Sequence, residues 1–246
     1  MELTGKVALV TGAAKRVGRA IALELASAGC DIVVHYRSSQ AEAQSLVEDI
    51  QQLSNGRATA VGGDLADRGV PQRIVDEAVA AMGRLDILIN NGSVFDSAKM
   101  DEWTNEHWER TFRVNAIAPA LLAQAAAPIM RRNGGGRIVN LTDILADRPA
   151  MGLAAYCASK AALVNITKSL ARELAPTITV NAISPAVAIF PESYDQAARE
   201  SLLRRVPLQR EGTPEGVAAL VRCLVTRLDY ITGQVIPFDG GRSIVP

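Results

Sequence analysis

The sequence has no excess of either charge: 26 Lys and Arg stand against 26 Asp and Glu. That excludes the basic surface a general nucleic-acid or polyanion binder needs. Cysteine is scarce. Cys30, Cys157 and Cys223 are odd in number, scattered, and at no spacing that suits a disulfide framework or a metal site, which fits a reducing compartment. No apolar run reaches the roughly 18 residues of a membrane span, and no charged-then-apolar leader opens the chain, so a soluble, cytoplasmic protein is expected. No cluster of His, Cys, Asp and Glu has ligand spacing, and no metal is expected.

What the chain holds in quantity is apolar residues, 48% of 246. That is enough for one large core, so a single domain over 1–246 is expected. Seven short runs rich in Val and Ile read as strands buried on both faces: 7–11, 31–36, 58–64, 85–90, 137–142, 179–184 and 235–239. Helical patterns fill the intervals at 16–28, 40–53, 67–82, 106–131, 154–174 and 213–226. Gly29, Gly56 and Gly83 stand just past helix ends, where a left-handed cap is wanted. This alternation implies an α/β fold, a doubly wound parallel sheet with helices on both faces. About 1–140 would form a cofactor half, and about 141–246 a catalytic and substrate half. Ligands of such sheets bind beyond the C-terminal strand ends. The polar clusters Thr11–Gly18, Tyr36–Ser39, Asp64, Asn90–Phe95, Thr142–Asp143 and Ser184–Ala188 all fall there.

Three further absences are local. The turn "TGAAKRVG" has Gly12 and Gly18 at the positions of a phosphate-binding turn, but Arg16 where a middle glycine is expected. The second strand ends in "HYRSS" with no acid to bind a ribose 2′-hydroxyl; Arg37, Ser38 and Ser39 suit a 2′-phosphate and favour NADPH, while the serines equally suit a helix N-cap. Lys15 and Arg16 add positive charge. Asp64 could accept from an adenine amino group or cap a helix. "NNGS" at 90–93 would let backbone approach a cofactor closely, and is also a common turn. Tyr156 and Lys160 lie four apart on one helical face, where an ammonium would lower the phenol pKa.

Together the glycine turn, Asp64, "NNG" at 90–92, Asn115 in "RVNAIAP", Tyr156-xxx-Lys160, "SPA" at 184–186 and "DGG" at 239–241 resemble the short-chain dehydrogenase/reductase family over essentially the whole chain. The resemblance implies a Rossmann-like seven-stranded sheet and a catalytic Asn, Ser, Tyr and Lys. The third absence is that serine: thirteen residues before Tyr156 stands Asp143, which when ionised would raise the tyrosine pKa and oppose Lys160. Arg16 and Asp143 together resemble one branch, the pteridine reductases, as do "HYRSS", "NAIAP" and Phe95, which matches that branch's pterin-stacking aromatic residue.

The resemblance then implies catalytic Asp143, Tyr156, Lys160 and Asn115. It implies cofactor contacts from Gly12, Lys15, Arg16, Val17, Gly18, Tyr36, Arg37, Ser38, Ser39, Asp64, Leu65, Asn91, Gly92, Ser93, Tyr156, Lys160, Pro185 and Val187. Substrate contacts fall to Arg16, Ser93, Phe95, Asp143 and Tyr156, with Arg16 touching either the pterin or a phosphate alone. The expected reaction is NADPH-dependent reduction of a pterin or dihydrofolate C=N bond, the proton coming from Asp143 and Tyr156 and Asn115 orienting Lys160 directly or through water. The alternatives are a carbonyl reductase, such as a 3-oxoacyl thioester reductase, and a non-catalytic dinucleotide-binding regulator. A small-molecule substrate and a homotetramer complete the expectation. Ala186 and Ala188 depart from the family pattern. Phe190, Tyr194 and Leu202 in 189–203 either line a pocket or pack on the sheet. Trp103, His107 and Trp108 are expected to pack, and His35 to be a hydrogen-bonded structural residue.

Overall fold

The computed structural model describes residues 1–54, 56–186 and 195–245. Seven parallel strands form one sheet in the order β3-β2-β1-β4-β5-β6-β7. They are β1 (Val7–Val10), β2 (Asp31–Tyr36), β3 (Ala58–Gly62), β4 (Ile87–Asn90), β5 (Gly136–Leu141), β6 (Ile178–Pro185) and β7 (Val235–Phe238). Helices α1 (Arg16–Ser27), α2 (Gln40–Ser54), α3 (Val70–Met82), α4 (Asn105–Phe112), α5 (Ala118–Arg132), α6 (Ala154–Leu174), α7 (Gln196–Leu203) and α8 (Pro214–Thr226) complete the fold.

The strand period of two divides the core between the two faces. Ala8, Val10, Ile32 and Val34 meet α1, α2 and α8 on one side, while Val7, Leu9 and Val33 meet α3, α5 and α6 on the other. Both sides are thus sealed from water, as continuous apolar strands require. The sheet reverses direction between β1 and β4, which are neighbours. That reversal opens a crevice at their C-terminal ends.

One expectation needs correction. The pattern over 106–131 is not one helix. A π turn at Arg113–Ile117 separates α4 from α5, and Asn115 sits inside it. Within 189–203, Gln196–Leu203 is helical and carries Leu202. Phe190, Tyr194, Val187 and Ala188 lie outside the described residues. Gly29 and Gly83 do adopt positive φ, +90° and +80°, as left-handed helix ends. Among the described residues no helix is long and apolar enough to cross a membrane.

Candidate active site

The glycine turn is built from backbone because nothing larger fits. Gly12 has φ +60°, and a Cβ there would lie 2.9 Å from the Cα of Gly92. A Cβ on Gly18 would lie 2.3 Å from the Gly12 carbonyl oxygen. Asn91 holds the turn from β4, its Nδ2 donating to the carbonyls of Thr11 at 2.9 Å and Gly12 at 3.1 Å. Lys15 caps α1 without a side-chain hydrogen bond, which leaves first-turn amides for a phosphate. Arg16 occupies the left-handed region at φ +54°. A side chain in that conformation costs about 1–2 kcal/mol relative to the right-handed one. The expected middle glycine is therefore absent in residue type while its conformation persists. Val17 packs beside the core, and Lys15 ion-pairs with Glu42 of α2 at 2.6 Å.

Beyond the turn lies a cleft of about 440 Å³ lined by Gly12, His35, Arg37, Gly63, Asp64, Leu65, Gly92, Ser93, Val94, Phe95, Asp96 and Val114. Predicted cofactor residues from four loops thus meet in one crevice. The Tyr36 ring packs against Gly62, where a Cβ would lie 2.9 Å from it. Arg37, Ser38 and Ser39 follow at the start of α2. Asp64 does not cap α3, whose N-cap is Gly69. Its carboxylate accepts from the Ala66 amide at 2.9 Å and from Arg110 of α4 at 2.9 Å. Burial pushes its pKa up, but those two donors win and hold it below the usual range. Arg110 is a residue sequence reading missed, since nothing local marks an ion pair spanning 46 positions. Backbone floor, uncapped α1 amides and the Arg37 rim fit the shape and charge of a dinucleotide.

The chemical groups converge at the ends of β5 and α6. Tyr156 donates its hydroxyl hydrogen to Asp143 Oδ2 at 2.8 Å, and Asp143 Oδ1 accepts from the Leu145 amide at 2.9 Å. Phe95 meets the Tyr156 ring edge-on at 4.7 Å between centroids and is 49% exposed, which leaves part of its ring free for a ligand. Lys160 is buried and donates from Nζ to the Leu141 carbonyl at 2.8 Å, with Nζ 5.6 Å from the Tyr156 ring centre. Ser93 Oγ donates to Asn115 Oδ1 at 3.0 Å. Pro185, at the end of β6, pairs with Phe238.

Electrostatics here decide between the opposing pulls of Lys160 and Asp143 on Tyr156. Burial, the Asp143 charge and the Asp143 hydrogen bond push its pKa well above the ordinary phenol value, and Lys160 does not reverse this. Burial likewise raises Asp143 above the usual carboxyl range, against the opposing pull of the Leu145 amide, Tyr156 and Lys160. The same desolvation lowers Lys160 to about 8, with Asp143 opposing. The arrangement therefore favours a protonated phenol beside a carboxyl that takes up a proton readily.

Asn115 makes its direct bonds to the loop after β4 and to α6. Its Oδ1 accepts from Ser93 Oγ and the Val94 amide (2.9 Å), and its Nδ2 donates to the Val94 carbonyl at 3.0 Å and Ser159 Oγ at 3.1 Å. These four hydrogen bonds hold the 93–94 loop against α6, and none of them runs directly to Lys160. Trp103, Trp108 and Phe112 form an aromatic row, with Trp103 5.4 Å from Trp108 and Trp108 6.0 Å from Phe112, and the His107 amide donates to the Thr104 N-cap. Among the described residues no group of His, Cys, Asp and Glu could hold a metal ion.

Residues 12–243 match a family model described as enoyl-(acyl carrier protein) reductase. An uncharacterized oxidoreductase of Methylorubrum extorquens is 38% identical over 247 residues, covering 98% of both chains. A 3-oxoacyl-[acyl-carrier-protein] reductase of Synechocystis is 34% identical over 242 residues, covering 97% of each. A blue fluorescent protein from a metagenomic library, solved in complex with NADPH, superposes with a TM-score of 0.91 at 34% identity, over 98% of this chain and 99% of that one. Matched in sequence over nearly its whole length, and in fold by a Rossmann-like seven-stranded sheet, the chain belongs to the short-chain dehydrogenase/reductase family of oxidoreductases.

Proposed function

We propose that the protein is an NADPH-dependent reductase of a C=N bond in a pterin or dihydrofolate-type substrate. The observation that carries this reading is the 2.8 Å hydrogen bond between Tyr156 and Asp143. A serine there would give a carbonyl oxygen a neutral donor. An ionised carboxylate would instead repel the alkoxide that forms on carbonyl reduction. A carboxyl raised by burial suits a different acceptor, a ring nitrogen that must gain a proton.

When bound, NADPH supplies the hydride for the ring carbon. The chain's own groups supply the rest. Asp143 and Tyr156 share the proton that goes to the ring nitrogen, so each turnover forms one C–H and one N–H bond. Lys160, held by the Leu141 carbonyl, keeps positive charge beneath the pair and would hold the nicotinamide ribose. Phe95 offers a ring face for stacking. Arg16, in the turn at φ +54°, would offer a planar donor fork to pterin or phosphate. Arg37 with Ser38 and Ser39 would take the 2′-phosphate, which the NADPH complex of the structural relative supports. Asn115 serves by fixing the 93–94 loop and α6.

A second reading is carbonyl reduction of a 3-oxoacyl thioester. The names of the Synechocystis relative and of a Staphylococcus aureus relative, 34% identical over 245 residues, support it better than they support pterin reduction. NADPH oxidation measured in parallel with dihydrobiopterin, dihydrofolate and a 3-oxoacyl thioester separates the two. Turnover of the thioester alone would overturn the pterin reading. The assembly we propose is a homotetramer; Ile117, which ends the π turn, and Leu121 of α5, both exposed and four residues apart, are its support.

A further inference from the structure

The cleft has a buried histidine in its floor that takes no part in proton delivery. His35, the fifth residue of β2, is 2% exposed. Its Nδ1 accepts from the Gly12 amide at 3.1 Å, and its Nε2 lies 3.0 Å from the Gly63 carbonyl. The two partners dictate the protonation state. An amide N–H can only donate, so Nδ1 must present its lone pair; a carbonyl can only accept, so Nε2 must carry the hydrogen. One neutral tautomer satisfies both bonds. The imidazolium would set two hydrogens against each other at Gly12. Burial pushes the His35 pKa down to about 4, with Arg73 of α3 and Asp64 beyond β3 as the charged groups that act on it.

Gly12 is thereby gripped at both ends of its residue, by His35 at the amide and Asn91 at the carbonyl. The Ala13 amide adds a bond to the His35 carbonyl at 2.9 Å. The imidazole also ties the turn after β1 to the strand end at Gly63, the opposite wall of the same cleft. We propose that His35 is the positioning residue of the cofactor turn, an uncharged latch that fixes Gly12 in its left-handed conformation and sets the gap between the β1 and β3 ends before a cofactor arrives. This rests on the NADPH reading above. Because the latch spends the Gly12 amide, phosphate recognition falls to the α1 amides.

The test compares H35L and H35N. Leucine removes both bonds, whereas the asparagine carbonyl stands close to Nδ1 and restores the acceptor for Gly12. H35L should weaken NADPH by ~10-fold or more, the size of an unpaired buried donor, with kcat at saturating NADPH within a few-fold of the parent. H35N should recover most of the affinity. Equal NADPH binding by H35L, or no recovery in H35N, overturns the latch. Should H35L fail to fold, the native chain decides. It has two histidines, so 15N-histidine NMR can report His35 alone once H107Q assigns the pair. The neutral Nε2–H tautomer at pH 6 supports the latch; an Nδ1–H tautomer or an imidazolium overturns it. Failure of the unmodified protein to bind NADPH would instead sink the cofactor reading and leave this NMR result standing.

Discussion

Replacing Asp143 with serine changes the chemistry of the site while keeping its scaffold. The Asp143 carboxylate caps the short helix at 144–146 through the Leu145 amide. Serine caps about as well as aspartate, so stability should change by less than about 1 kcal/mol, a melting shift under about 2–4 °C for a chain of this size. Catalysis should not be spared. The positioned acid is worth ~10²-fold or more, about 2.7 kcal/mol at the lower bound. Pterin reduction should fall by that factor, with pterin binding less affected because Phe95 and Arg16 remain. The pH profile carries a second signature. A carboxyl acting as an acid must be protonated, so the parent's activity should decline as pH rises through the elevated Asp143 pKa, and the variant should lose that limb. Tyr156 also loses two of the three leading causes of its raised pKa, keeping burial. Reduction of a 3-oxoacyl thioester should rise, since a hydroxyl donor replaces a repelling charge. Steady-state NADPH oxidation from pH 5 to 9 with both substrates reads all of this. A variant that reduces pterin at the parental rate, with the parental pH profile, would show that the carboxyl is only a cap and that the proton comes from elsewhere.

Other outcomes follow from the same geometry. The Lys160 ammonium of the parent is lost as pH rises through about 8, with the Asp143 charge helping to hold it there, so kcat/KM in Asp143→Ser should keep an alkaline limb displaced below that pH; a flat profile to pH 9 would remove Lys160 from the chemistry. Arg37→Asp should narrow or invert the preference for NADPH over NADH, measured as the ratio of their Kd values, because an acid repels the 2′-phosphate; an unchanged ratio places recognition on other groups. Gly18→Ala drives a Cβ to 2.3 Å from one carbonyl and 2.6 Å from Asn91 Nδ2. Overpacking against backbone should cost about 1–3 kcal/mol, read as a lower urea midpoint, and NADPH binding should suffer with it.

Much of this architecture is written locally. Val7–Val10 and Asp31–Tyr36 stand in the sequence as apolar runs because both strand faces are buried, and Tyr156 and Lys160 share a face because helical spacing puts them there. What local pattern cannot carry is pairing across the chain. Arg110 reaches Asp64, Asn115 reaches Ser93 and Ser159, and Lys160 reaches the Leu141 carbonyl, each through tertiary packing. The sequence sets Lys160 against Asp143 at Tyr156 without saying which prevails. Spacing predicts that a cation is near, but not that burial and a carboxylate outweigh it. His35 is legible as a buried residue, while its tautomer follows only from Gly12 and Gly63 closing on it.

The π turn at Arg113–Ile117 also fixes how this segment can change in length. One residue more than an α-helix needs is looped into the turn, so α4 and α5 are out of phase by about 100°. Deleting a single residue there would mend the helix into a continuous rod. Either Trp108 and Arg110 or the apolar stripe of Leu122, Ala126 and Met130 would then swing off its present partners. Insertions and deletions that a surface helix absorbs elsewhere are forbidden across these five positions, and the irregularity itself is the ruler that keeps the Asp64 clamp and the sheet-facing stripe in register.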